Sequence, residues 1–217
     1  MSDISRVIRI LKKESKSFAN AAITEIGHES HDPFQVLISC IMSLRTRDIV
    51  TYPVTKKLFS VASTPEQISD MPLKKLENII RPVNFYKTKS KRIKQISKEI
   101  IEKHSGKVPS NFEELMKFNG VGRKTANIVM VYGHGSRSHI PVDVHVHRIP
   151  NRLGWVHTKK PEQTEEELKK IVPKRYWMDI NDIFVQFGQN ICLPRNPKCS
   201  VCPVNKYCKY AKTLIQT

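Results

Sequence analysis

Apolar residues recur at three- and four-residue intervals through most of the chain, and period-two alternation is almost absent. Ile4, Val7, Ile8 and Leu11 form one such stripe and predict a first amphipathic helix. From Phe34 to Leu44 the residues are nearly all apolar, which predicts a helix buried on most of its sides. Thr64 followed by Pro65 marks a helix start, a Thr cap with Pro at the first helical position. Pro72 and Pro82 punctuate the next segments. Pro109 and Ser110 mark a further boundary, with Ser110 expected to cap a helix through Phe118. There is no internal repeat or low-complexity tract. The pattern predicts an all-α fold of about ten helices of ordinary length. The segment from Cys192 onward differs in composition and is expected to be a separately organised loop.

Composition narrows the function. The chain has 217 residues, with 37 Lys plus Arg against 20 Asp plus Glu, a formal charge of +17. With 39% hydrophobic residues there is enough apolar material for a core, which excludes wholesale disorder. No apolar stretch reaches the ~18 residues of a membrane span. The first residues alternate charged with apolar and lack the apolar block of a signal peptide. The expectation is a soluble, intracellular protein. So large a positive surplus suits a polyanion, and nucleic acid is favoured over an acidic membrane surface. Within the basic run Lys87, Lys89, Lys91, Arg92 and Lys94, the helical spacing of Ile93, Ile96 and Ile100 allows a plainer reading: a solvated face with the lysines outside.

Cys192, Cys199, Cys202 and Cys208 are spaced C-x6-C-x2-C-x5-C. Thiols this close in sequence can meet at one metal centre with little loss of chain entropy. Three readings are open: two disulfides, a structural zinc, and a 4Fe–4S cluster. An intracellular chain disfavours disulfides. Zinc sites usually use two short Cys pairs where this chain has one, so spacing leans toward the cluster. Cys40, within the run LISCIM, reads as a small buried hydrophobe.

In the stretch FEELMKFNGVGRKTANIVM, Phe112, Leu115, Met116 and Phe118 make a short amphipathic helix. Asn119-Gly120-Val121-Gly122 then breaks it before a second, apolar helix. Glycines let such a turn close and aim N–H groups outward, which suits a phosphate; an ordinary helical corner is the plainer alternative. Lys124, in the first turn of the second helix, is either a phosphate-binding lysine or an amine of lowered pKa able to form a Schiff base. Asp143, in IPVDVHVHRI, is the only carboxylate between Glu114 and Glu162. Spacing favours it as the cap of a helix beginning at Val144, with a catalytic role as the alternative. His145 and His147 have no metal-ligand spacing.

GVGRKTA, a later PVD before a helix, and the four-cysteine spacing occur in this order, and together they resemble the endonuclease III family of the helix-hairpin-helix/Gly-Pro-Asp DNA glycosylases. The resemblance runs from about Leu37 to Cys208. It implies two all-α lobes with a DNA groove between them: residues 26–137 as a six-helix lobe with the helix-hairpin-helix, and 1–25 plus 138–217 as a cluster lobe. It further implies a monomer holding a 4Fe–4S cluster through Cys192, Cys199, Cys202 and Cys208.

By the same resemblance Lys124 is the Schiff-base nucleophile and Asp143 the essential aspartate. Gly120, Val121 and Gly122 grip a phosphate, His145 reaches the flipped nucleotide, and Arg195 and Lys198 touch the backbone. Arg45 and Phe85 stand where the family's two wedge residues, Gln and Leu, are usual, and Asn119 stands where a Pro often precedes the hairpin glycine. These departures bear on opposite-base preference and lesion range. The implied activity is that of a bifunctional glycosylase and AP lyase acting on oxidised pyrimidines in duplex DNA. The alternatives are a monofunctional mismatch glycosylase, against which Lys124 argues, and a non-catalytic cluster-bearing or zinc-bound DNA-binding module.

Overall fold

The computed structural model describes residues 3–18 and 22–215. Among them there are thirteen α-helices and no strand. The helices exceed the expected ten because several run only six to eight residues, too short to show a full apolar period. None is long and apolar enough to cross a membrane. The chain divides into two compact units, Ala22–Ser136 and the discontinuous pair Met1–Ala21 with Arg137–Thr217.

The continuous unit is built on α3 (Pro33–Ser43). Its cap is Asp32, whose Oδ1 accepts from Phe34 N at 2.8 Å, with Pro33 at the first helical position. Leu37, Ile38, Ile41 and Met42 are fully buried, as the apolar run predicts. Around it lie α2 (Ala22–Ser30), α4 (Asp48–Val61), α5 (Pro65–Asp70) and α6 (Leu73–Ile80). Thr64 caps α5 through a reciprocal box with Gln67, as its sequence predicts.

The long α7 (Tyr86–His104) buries Ile93, Ile96 and Ile100, and here the solvated-face reading needs correction. Lys87 and Lys91 are exposed, but Lys89 is only 3% exposed. Lys89 stands four residues before Ile93, on the buried stripe. Lys94 reaches back to the carbonyls of Ser69 and Met71 at the end of α5, a cation placed at a helix C-terminus.

Next come α8 (Phe112–Lys117) and α9 (Arg123–Ile128), which continues as a π-helical turn over Val129–Gly133. The cap of α8 is Asn111, not Ser110: its side chain accepts from Glu114 N at 3.0 Å. Leu115 and Phe118 are buried while Met116 is exposed.

In the discontinuous unit, α1 (Asp3–Ser15) packs on α12 (Trp177–Asn190). Val7, Ile8 and Leu11 of α1 join a core with Val146, Ile149 and Leu153 of α10 (Val144–Leu153), Leu168 of α11 (Pro161–Ile171), and Phe184 and Phe187 of α12. The C-terminal segment is not the separate loop the composition suggested. Val204 and Ala211 are buried, Val204 in this same core, and Lys209–Ile215 forms α13.

Candidate functional site

The hairpin follows from backbone geometry. Val121 N donates to Phe118 O at 3.0 Å, and Gly120 turns the chain at φ 81°, in the left-handed region. A Cβ at Gly120 would also overlap Nη1 of Arg92, so the guanidinium occupies the space a side chain would need. Gly122 is the residue before α9 at φ −98°, no side chain caps that helix, and a Cβ on Gly122 would meet only open space. The hairpin thus offers a bare stretch of backbone, the shape needed for close approach of a phosphate.

Lys124 is exposed in the first turn of α9. Among the described residues no carboxylate pairs with it. Burial pushes the Cys40 thiol up to about 12, and the Lys124 charge works against that rise, so the two lie within electrostatic reach. Cys40 itself is 2% exposed, as its apolar neighbours predict.

Asp143 does cap a helix. Its Oδ1 accepts from both His145 N and Val146 N at 2.8 Å, at the start of α10. A single oxygen performs the capping, so the other remains available, and the capping and catalytic readings are compatible. His145 is half-buried; Nη2 of Arg148 lies 3.0 Å from its Nδ1, and its ring lies against Gly188, where a Cβ would overlap Nδ1. His147 Nδ1 is hydrogen-bonded to Thr164 Oγ1 at 2.6 Å.

Arg45 and Phe85 are brought together although they are far apart in sequence. The Arg45 guanidinium carbon lies 6.0 Å from the Phe85 ring centre, close enough for a cation–π contact. Phe85 is 60% exposed, unusual for so large an apolar ring. Both residues hold left-handed backbone, φ 56° and 59°, a conformation disfavoured for bulky side chains and concentrated at functional sites.

The four cysteines of the C-terminal segment are free thiols, which removes the disulfide reading. All four line one small hollow, of about 20 Å³, beside α10. Among the described residues no group of His, Cys, Asp or Glu is set around a single metal ion. Four thiols, with no carboxylate or imidazole beside them on that lining, are the donor set that an iron–sulfur cluster uses. Burial first, then the neighbouring cysteines, pushes the Cys202 thiol up to about 11 and raises that of Cys199.

Two arginines missed in the sequence hold this segment, and both lie on α10, four residues apart on one face. Arg148 donates through Nη2 to Cys192 O at 2.8 Å and to Gly188 O at 3.2 Å. Arg152 donates to Cys192 Sγ at 3.3 Å and to the carbonyls of Leu193 at 2.6 Å and Pro194 at 2.9 Å. Between Cys192 and Cys199, Arg195 and Lys198 are exposed.

Comparison with known proteins agrees with this geometry. The HhH-GPD superfamily of base excision DNA repair proteins matches residues 38–174, and the iron-sulfur binding domain of endonuclease III matches residues 192–208. Endonuclease III of Thermotoga maritima is 47% identical over 85% of this chain and 86% of its own length, and that of Haemophilus influenzae 36% over 86% and 87%. A solved non-covalent endonuclease III–DNA complex superposes with a TM-score of 0.86 at 31% identity, covering 99% of this chain and 98% of the other. A trapped endonuclease III–DNA covalent intermediate gives 0.81 at 32% identity, covering 99% and 100%. The chain belongs to the endonuclease III family. It is a DNA glycosylase of base excision repair, and its cofactor is a 4Fe–4S cluster.

Proposed function

We propose that this protein removes oxidised pyrimidines from duplex DNA and cuts the strand at the resulting abasic site, using Lys124 as nucleophile and Asp143 as its carboxylate partner. The observation that carries the reading is Lys124 itself, an exposed amine in the first turn after a bare-backbone hairpin, unneutralised by any described carboxylate. In this reading the protein acts as a monomer, inside the cell, on DNA with a damaged base or abasic site.

A stacked base must leave the duplex before its sugar can be reached. Phe85 fills the vacated space by stacking, and Arg45 donates hydrogen bonds to the unpaired partner base. Gly120, Val121 and Gly122 hold a phosphate through backbone N–H groups, with His145, Arg195 and Lys198 adding contacts to the strand. The neutral amine of Lys124 attacks C1′ while the bond from C1′ to the base breaks. The free oxygen of Asp143 stabilises positive charge growing on the sugar or takes the lysine's proton. Opening of the sugar ring leaves an imine between Lys124 and C1′, which acidifies the C2′ proton. Loss of that proton expels the 3′ oxygen, and the strand is cut by β-elimination. Cys192, Cys199, Cys202 and Cys208 hold the cluster, whose contribution when bound is to fix the loop carrying Arg195 and Lys198.

Borohydride trapping on a duplex carrying an oxidised pyrimidine tests the reading, with Lys124→Ala alongside. The expected result is a covalent adduct for the wild type and none for the variant. Base release without an adduct would instead indicate a monofunctional glycosylase.

A further inference from the structure

Lys89 is the one lysine of its run that the solvent does not reach, and what it touches is informative. Its Nζ donates to Met42 O at 2.7 Å, Leu44 O at 2.6 Å and Thr46 Oγ1 at 3.0 Å. The first two are carbonyls at the end of α3, which the helix itself leaves without donors. The third belongs to the loop that carries Arg45. Thr46 Oγ1 also accepts from Asn84 N at 3.1 Å, and the Asn84 side-chain amide donates to Arg45 O. Phe85 follows Asn84, and its carbonyl accepts from Thr88 N and Lys89 N, both at 3.0 Å. One ammonium therefore ties together the chain before Arg45 and the turn that opens α7 at Phe85.

Among the described residues no carboxylate neutralises Lys89. Burial, and then the neighbouring charge of Arg92, pushes its ammonium down to about 8. A buried charge with only carbonyl and hydroxyl partners is an unfavourable arrangement for stability alone, since an apolar side chain of the same length would fill the space. The network ends on two residues in strained left-handed backbone whose side chains face each other.

We propose that Lys89 is a positioning residue for base extrusion, holding the Arg45 and Phe85 loops as one pre-set wedge through Met42, Leu44 and Thr46. The proposal rests on the reading of Arg45 and Phe85 as wedges. Side chains already fixed need not be ordered when the lesion leaves the helix, so extrusion is faster and the partner base is read more selectively.

The test uses the full-length, cluster-loaded protein, with thermal melting and cluster absorbance as checks on folding. Single-turnover release of an oxidised pyrimidine is measured opposite G and opposite A, and borohydride trapping is measured at a preformed abasic site, where extrusion is easiest. Lys89→Met is expected to slow release by on the order of tenfold, the effect of one side chain no longer ordered in advance. It should also bring the G-to-A ratio toward one while leaving trapping within about twofold of wild type on the same reasoning. Unchanged release and ratio in a folded Lys89→Met protein overturns the proposal, as does an equal fall in release and trapping. If Lys89→Met does not fold, Thr46→Val decides by the same ratio, because it removes the acceptor shared by Lys89 and Asn84; Thr46→Ser should restore it. Arg45→Ala and Phe85→Ala are the controls for the reading underneath. If neither alters release or ratio, the wedge assignment itself fails and takes the proposal with it.

Discussion

Arg152 donates a hydrogen bond to the sulfur of Cys192, at 3.3 Å, and returns a backbone carbonyl to Cys208 Sγ at the same distance. With Leu193 O, Pro194 O and the Tyr210 ring at 4.6 Å, this arginine joins α10 to both ends of the cysteine segment. Hydrogen bonds from a charged donor are worth roughly 1.5–3 kcal/mol each when their partners are left unsatisfied. Arg152→Leu is expected to lower iron content and the melting temperature together. A loaded, stable variant would show that the segment does not depend on this contact.

The observed capping by Asp143 and its proposed catalytic role can be separated by substitution. Asp143→Asn keeps a side-chain oxygen for His145 N and Val146 N, so its stability should stay within a few tenths of a kcal/mol of wild type. Its strand-cutting activity should nevertheless fall by at least a hundredfold, the usual scale for a positioned proton-transfer group, ~10²–10⁴. Asp143→Ala should lose activity and also about 1 kcal/mol of stability with the cap. Comparison of melting curves with single-turnover rates checks both.

The two hairpin glycines should respond differently. Alanine at Gly120 must adopt φ 81° and displace the Arg92 guanidinium, so Gly120→Ala should destabilise by more than 1 kcal/mol. Gly122→Ala meets nothing in the free protein, so folding should be untouched while DNA affinity falls as the added methyl meets a phosphate. Denaturation and DNA titration at fixed salt distinguish the two. Equal affinity for Gly122→Ala and wild type removes that glycine from the interface.

In the proposed reading Arg45 faces the unpaired base. Arginine donates to guanine O6 and N7 as a bidentate pair, with discrimination of roughly 1–3 kcal/mol. Lesions opposite G should therefore be released faster than lesions opposite A, and Arg45→Gln should narrow the difference. Equal rates for wild type in matched duplexes would contradict the assignment.

Lys89 carries a pH signature. Its folded-state value of about 8 lies below the ordinary 10.5. Between these values the unfolded chain binds the proton that the folded chain has released, so stability rises with pH across that window. The melting temperature of wild type should gain on that of Lys89→Met as pH moves from 8 toward 10.5. A constant difference between them would mean that Lys89 is not charged against its surroundings.

The elements most legible in the sequence were those whose signal is local. The apolar run of α3, the Thr64-Pro65 start of α5 and the cap at Asp143 each follow from neighbours within four residues. The cysteine spacing was equally local, and the hollow lined by all four thiols corresponds to it. Residues that act across the fold were less visible. Lys89 lies on the stripe of Ile93 and Ile96, but its charge suggests the outer face. Arg148 and Arg152 read as surface cations until α12 and the C-terminal segment supply carbonyls for them. The approach of Arg45 to Phe85 depends on Thr46 and Asn84 meeting, a pairing 38 positions apart that no periodicity encodes. Gly188 reads as an ordinary helical residue, yet it leaves the space that His145 fills.

The packing of α1 against helices from beyond residue 140 also dictates an order of events during synthesis. Val7, Ile8 and Leu11 leave the ribosome first, but their core neighbours emerge only after the whole of Ala22–Ser136 has been made. At about 5–20 residues per second, that apolar stripe stays uncovered for several seconds or longer while the intervening unit is free to fold by itself. A nascent chain stalled near residue 136 is therefore expected to hold a finished hairpin unit and a naked first helix, the species on which chaperones and proteases act.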